Sequence, residues 1–167
     1  MNKTTDPQQP TDQDLRAFAE RLILEQNTMT LATARDGIAW AAPVYYANIG
    51  FLFYFFSDPE SRHIQESMES GQASASIFSP ADSWQGIRGV QMSGVVSTVS
   101  AGLEALRALR AYLKKYPFTK EFFDTGEKLD FDAMLKKFRV KLYRFQPRLI
   151  YYLDNKIRFG FRESLTL

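Results

Sequence analysis

The chain alternates between runs whose apolar residues recur every second position and segments in which they recur every three to four. Leu15, Phe18, Ala19, Leu22 and Ile23 fall on one face of a helix that Thr11 or Asp12 can cap. "TMTLATA" (28–34) reads as a strand, Arg35-Asp36-Gly37 as a tight turn, and "IAWAAPVYYANIG" (38–50) as a second strand. Pro43 removes a ladder donor from that strand, which predicts an edge or a bulge. "FLFYFFS" (51–57) is almost wholly apolar and reads as a strand buried on both faces.

Asp58, Pro59 and Glu60 predict the start of a helix, with Asp58 as N-cap and Pro59 at the first helical position, and an end near Ser70-Gly71. "QASASIF" (72–78) is a strand and 79–86 a polar loop. "IRGVQMSGVVSTVS" (87–100) is a long strand in which Gly89 and Gly94 predict a bulge, a bend or a close approach to the backbone. A helix over 102–116 carries an apolar stripe of Leu103, Leu106, Leu109, Leu113 and Tyr116. Residues 118–137 look irregular or partly helical. Phe138, Val140 and Leu142 alternate cleanly, and the phase then slips to Tyr143 and Phe145, predicting a bulge near 142–143. "LIYYL", Asp154-Asn155 and "IRFGF" read as a closing hairpin. Residues 1–11 are polar and read as a disordered tail, leaving 12–167 as one domain. Six or more strands with few helices point to a mainly β (α+β) fold, a small antiparallel barrel.

Composition narrows the function. The net charge of +2 does not favour nucleic acid as a partner, and no apolar run is long enough to span a bilayer. The polar N-terminus lacks a signal-like apolar core, so a cytoplasmic location is expected. With no cysteine and one histidine, thiolate chemistry and a multi-His metal site within one chain are excluded. Asp124, Glu127, Asp130 and Asp132 show no metal-loop spacing, and Arg107, Arg110, Lys114 and Lys115 read as a solvated helix face. The 14 Phe and 8 Tyr suit strands and flat, stacking pockets.

The densest chemistry lies at "FFSDPESRH" (55–63). A helix N-terminus offers unpaired N–H groups and a partial positive charge. Ser57 and Ser61 add hydroxyls, Arg62 a fork suited to phosphate oxygens, and His63 a further donor. Asp58 and Glu60 oppose an anion if they face it, and the same spacing suits a capped surface helix. Trp84, in a polar loop, can stack on a planar ligand or cover a partner subunit. Arg88 and Gln91 can face a pocket.

Taken together, "TLATARDGIAWAAPVYY", the strand ending in "FFS" and the helix-opening "DPESRH" resemble the FMN-binding split-barrel superfamily, the pyridoxamine 5'-phosphate oxidase-like proteins. "IRGVQMSGVV" and "LDNKIRFGF" are similar to a small, functionally unassigned subgroup. The resemblance implies an antiparallel six-stranded split β-barrel with flanking helices, a homodimer with FMN at the subunit interface, and flavin-dependent oxidoreduction of an unspecified substrate. It implies that Ser57, Ser61, Arg62 and His63 hold the phosphate, with Phe56 beside them among the cofactor-binding residues. His63 stands where lysine is common in the family. Pro43, Val44, Tyr45 and Tyr46 would lie along the flavin ring, with Trp84, Arg88 and Gln91 contacting flavin or its surroundings. The Arg-Leu-X-Pro-like ending of true pyridoxamine-phosphate oxidases is missing, so the pyridoxal-forming reaction is not implied. Alternatives are the same barrel holding a deazaflavin or haem, and a ligand-free interaction module.

Overall fold

A computed structural model gives the fold, and residues 9–117, 135 and 138–166 are described. Most of the expected tail (1–8), most of the irregular stretch 118–137 and the four carboxylates Asp124, Glu127, Asp130 and Asp132 lie outside the described residues.

Helix α1 (Asp12–Glu25) opens with a capping box. The Thr11 hydroxyl accepts the Asp14 N–H, and the Asp14 carboxylate accepts the Thr11 N–H. Two otherwise orphaned donors are thereby satisfied. Leu15, Ala19, Leu22 and Ile23 turn inward, while Phe18 stays at the boundary against Tyr152.

The strands are β1 (Thr28–Arg35), β2 (Ile38–Tyr45), β3 (Ala47–Ile49), β4 (Leu52–Ser57), β5 (Ala73–Ser79), β6 (Arg88–Thr98), β7 (Lys141–Asp154) and β8 (Arg162–Ser164). They form one antiparallel sheet in the order β2-β1-β5-β6-β7-β4-β3, with β8 paired to β7. The antiparallel split barrel expected from the sequence is what the chain forms. Among the described residues it has eight strands, two of them, β3 and β8, only three residues long. Pro43 lies on β2, which is an edge strand, so its missing N–H breaks no inner ladder.

Several boundaries differ from the sequence reading. The run 38–50 is two strands, interrupted at Tyr46. That side chain is fully buried, and its hydroxyl donates to the Ile23 carbonyl at 2.7 Å. The phase slip at 142–143 is not a bulge. Leu142 and Tyr143 are both buried because α3 (Leu103–Lys115) covers the face of β7 opposite the barrel core. The bulge sits further on, where Ser93 pairs with Leu149 but Gly94 pairs with Pro147, leaving Arg148 extra. A Cβ at Gly94 would overlap the backbone of Gln146 and Pro147. The expected apolar stripe on α3 turns inward only in part, at Leu109 and Tyr116. Ala105, Ala108 and Leu109 face inward and Leu103 is 76% exposed, because Tyr54, Leu52, Phe56 and Leu142 already fill the space beneath. The closing hairpin keeps its Asp154-Asn155 start, but "IRFGF" belongs mainly to the turn, and only Arg162–Ser164 pairs with β7.

The main core holds Leu31, Phe53, Phe55, Phe145 and Ile150, each fully buried and each worth roughly 1.5–3 kcal/mol of hydrophobic transfer. This rigid frame fixes the end of β4 and the start of the next helix.

Candidate functional site

Strand β4 delivers Ser57 to the rim of the barrel, and α2 (Arg62–Ser70) begins shortly after. The helix does not start at Asp58 as the sequence suggested. The Asp58 carboxylate accepts the Glu60 N–H at 2.8 Å, and its carbonyl accepts the Ser61 N–H at 3.0 Å and the Ser61 hydroxyl at 2.7 Å. Asp58 therefore closes a local turn of the kind short carboxylates favour, and Ser61 becomes the N-cap. The Ser61 side chain makes no capping bond, and no acidic residue lies in the first helical turn. Glu60 accepts from Gln65 at 3.2 Å. The amino end of α2 thus keeps its donor character and its positive partial charge.

Three side chains converge there. The Ser57 hydroxyl lies 2.8 Å from His63 Nε2 and 3.1 Å from the Ser61 hydroxyl, and Ser61 lies 3.4 Å from the same nitrogen. Ser61 spends its proton on the Asp58 carbonyl, so it can only accept from Ser57 or His63. Burial pushes the His63 pKa below its ordinary value and favours the neutral ring.

Arg62 lies between Ser61 and His63 in sequence, and its side chain is held under constraint. Its Nε donates to Glu66 Oε1 at 2.6 Å, and the other oxygen of Glu66 accepts the Thr33 hydroxyl at 2.6 Å. The Arg62 Cζ lies 4.7 Å from the centroid of the Trp40 ring. The Glu66 side chain is 2% exposed and that of Arg62 41% exposed. Hydrogen bonds from Thr33 and then Arg62 hold the Glu66 carboxyl below the usual carboxylate range. Sequence reasoning missed Glu66, Thr33 and Trp40. The i,i+4 spacing of Arg62 and Glu66 was readable. The other two partners depend on the β1–β2 register, which sets Thr33 directly opposite Trp40.

The remaining expected residues are spread out. Val44 and Tyr46 direct their side chains into the core, leaving only backbone for a ligand, whereas Pro43 and Tyr45 are exposed. The Tyr45 ring meets Tyr116 edge-on at 5.7 Å. Phe56 packs edge-on against Tyr112 on α3 at 5.0 Å. Gln91 lies on the outer face of the sheet, in an open cleft of about 330 Å³ with Thr30, Ser76, Leu149, Tyr151 and Arg162. Arg88 is paired to Glu25 at 3.1 Å. Trp84 is exposed in a short 3-10 turn (Trp84–Gly86) and meets Phe159 edge-on at 5.5 Å. Of the expected residues, Ser57, Ser61 and His63 come together in a compact polar cluster, and Trp84, Arg88 and Gln91 do not join it within one chain. No group of His, Asp or Glu suited to a metal occurs among the described residues, and no helix among them is long and apolar enough to cross a membrane.

The split barrel thus carries a polar cluster at an open helix terminus beside its rim. Residues 15–151 match the family described as pyridoxamine 5'-phosphate oxidase, and the chain belongs to that family. A UPF0306 protein of Klebsiella pneumoniae (strain 342) is 26% identical over 142 residues, covering 84% of this chain and 85% of that one. Among solved structures, a heme binding protein from Mycobacterium smegmatis superposes with a TM-score of 0.68 at 19% identity, covering 94% of this chain and 58% of its own. An FAD-binding protein from Mesorhizobium loti superposes with a TM-score of 0.60 at 18% identity, over 80% of this chain and 90% of its own. The chain therefore spans little more than half of the mycobacterial protein.

Proposed function

We propose that this protein binds FMN and serves as a flavin-dependent oxidoreductase. One observation carries the reading: the open amino end of α2, whose first residue is Arg62, lies among the hydroxyls of Ser57 and Ser61 and the His63 ring. This set fits a terminal phosphate once the Ser61 hydroxyl turns its proton from the Asp58 carbonyl to a phosphate oxygen. Helix N–H groups and hydroxyls satisfy its oxygens without a permanent second cation. A proton taken up by His63 would supply added charge when phosphate is present. The edge strand β2 and exposed Tyr45 offer a flat surface for the ring.

A bound flavin would supply the hydride or electron transfer. The chain's own residues bind and orient. Ser57, Ser61 and His63 with Arg62 grip the phosphate end, Pro43 to Tyr46 set the ring plane, and the barrel wall keeps water from one face. A homodimer completes this reading. The outer face of β1, β5, β6 and β7 carries Ala32, Leu149 and Tyr151 beside Gln91, and a second copy would pack on this face. Oligomeric mass by light scattering checks this arrangement.

The binding test compares FMN with riboflavin, which lacks the phosphate. FMN binds roughly tenfold or more tightly if charge-assisted bonds hold the phosphate. Equal dissociation constants refute the site. The absorption spectrum of the purified protein separates the haem reading, since a Soret band would replace the twin flavin peaks. Haem ligation through the chain's only imidazole would have to give up the bond between His63 Nε2 and Ser57.

A further inference from the structure

We propose that Glu66 is a positioning residue, which sets the direction of the Arg62 guanidinium so that its outer edge meets the phosphate of a flavin mononucleotide. This deepens the function proposed above and rests on it.

A buried carboxylate is costly unless both oxygens are satisfied. Glu66 is almost wholly buried, and its oxygens are divided between two elements, Thr33 on β1 and Arg62 at the first turn of α2. Thr33 and Trp40 are direct cross-strand partners. Glu66 and Arg62 are one helical turn apart. The four residues thus tie two points on the β1–β2 pair to two points on α2. Thr33 holds the carboxylate, the carboxylate holds Nε, and Trp40 lies against the guanidinium face. A guanidinium engaged at Nε and over one face has only its Nη edge left to offer, and no bond from that edge is found among the described residues. Arg62 is exposed enough for that edge to reach solvent, and it adjoins the Ser57–Ser61–His63 cluster in sequence. Long arginine side chains normally lose much rotamer freedom on binding an anion. Here the protein has met that loss beforehand.

Glu66 also brings a negative charge near the anion, so the positioning role and the charge act in opposite directions. Two variants separate them. Glu66→Gln keeps an acceptor for Nε and a group that can bond Thr33, and removes the charge. Glu66→Leu removes both bonds with an apolar side chain of similar size. FMN and riboflavin are titrated into wild type and both variants. The proposal expects Glu66→Leu to bind FMN about tenfold more weakly, a difference of about 1.4 kcal/mol. Riboflavin affinity should be unchanged, and Glu66→Gln should bind FMN as well as wild type or better. A merely structural role would weaken FMN and riboflavin together, and that result overturns the proposal, as does unchanged FMN binding in Glu66→Leu.

A second readout needs no flavin. The Arg62 Nε–H resonance of the ligand-free protein should be resolved and slow to exchange in wild type and Glu66→Gln, and averaged in Glu66→Leu. An averaged resonance in wild type overturns the inference. If that resonance behaves as expected but wild type binds FMN no better than riboflavin, the proposed function fails and the positioning of Arg62 stands.

Discussion

Removing Arg62 should damage stability and ligand binding for separate reasons that a second substitution can pull apart. Arg62→Ala leaves the Glu66 carboxylate, 2% exposed, with the Thr33 hydroxyl alone. Stranding one partner of a fully buried ion pair costs about 3–5 kcal/mol. Arg62 is 41% exposed, and water can enter the space it vacates, so the smaller penalty for an unsatisfied buried acceptor applies, about 2 kcal/mol. For a chain of 167 residues that lowers Tm by about 4–8 °C. Loss of a charge-assisted bond to phosphate costs a further ~1.5–3 kcal/mol of binding, roughly 10- to 150-fold in the FMN dissociation constant. Riboflavin, without phosphate, should bind both proteins alike. Adding Glu66→Gln to Arg62→Ala removes the stranded charge. The double variant should recover most of the lost Tm and none of the lost FMN affinity. Thermal unfolding and quenching of flavin fluorescence measure the two effects. An Arg62→Ala protein that melts with wild type would refute the buried pair, and one that binds FMN with unchanged affinity would remove Arg62 from the site.

Other consequences follow from the same geometry. Gly94→Ala should cost about 3 kcal/mol in urea unfolding because the new methyl overlaps backbone at Gln146 and Pro147. Gly86→Ala, whose methyl would meet the Ala81 side chain at ordinary contact distance, should cost under about 1 kcal/mol, and equal losses would argue against the bulge. His63 has its pKa lowered by burial, so folding favours the neutral ring. Its contribution to ligand-free stability is complete above the ordinary value of 6.5 and is lost as pH falls from there through the folded pKa. FMN affinity should move the opposite way, rising on acidification, because phosphate favours the charged ring. Wild type minus His63→Gln isolates both slopes, and matching profiles for the two proteins would exclude His63 from either role.

Local patterns were enough for much of this fold. The helix cap at Thr11, the doubly buried β4 and the edge position of Pro43 follow from short-range chemistry, and the structure has them. The hydroxyls and imidazole of 57–63 could likewise be gathered from spacing, because they are close in sequence and flank one strand end. Other features depended on partners distant in the chain. The phase slip at Leu142 and Tyr143 resembles a bulge until α3 is seen covering the second face of β7. The true bulge at Arg148 is visible only in how β7 pairs with β6. Asp58 reads as a helix cap by residue type, but a neighbouring turn claims its carboxylate and carbonyl.

The site divides along the same line. The sequence by itself determined that the polar side chains of Ser57, Ser61 and His63 would lie close together at one strand end. Only the tertiary structure decided which way Arg62 faces, because its direction depends on Thr33 and Trp40. Those two residues are brought under α2 by strand register, which no local periodicity encodes.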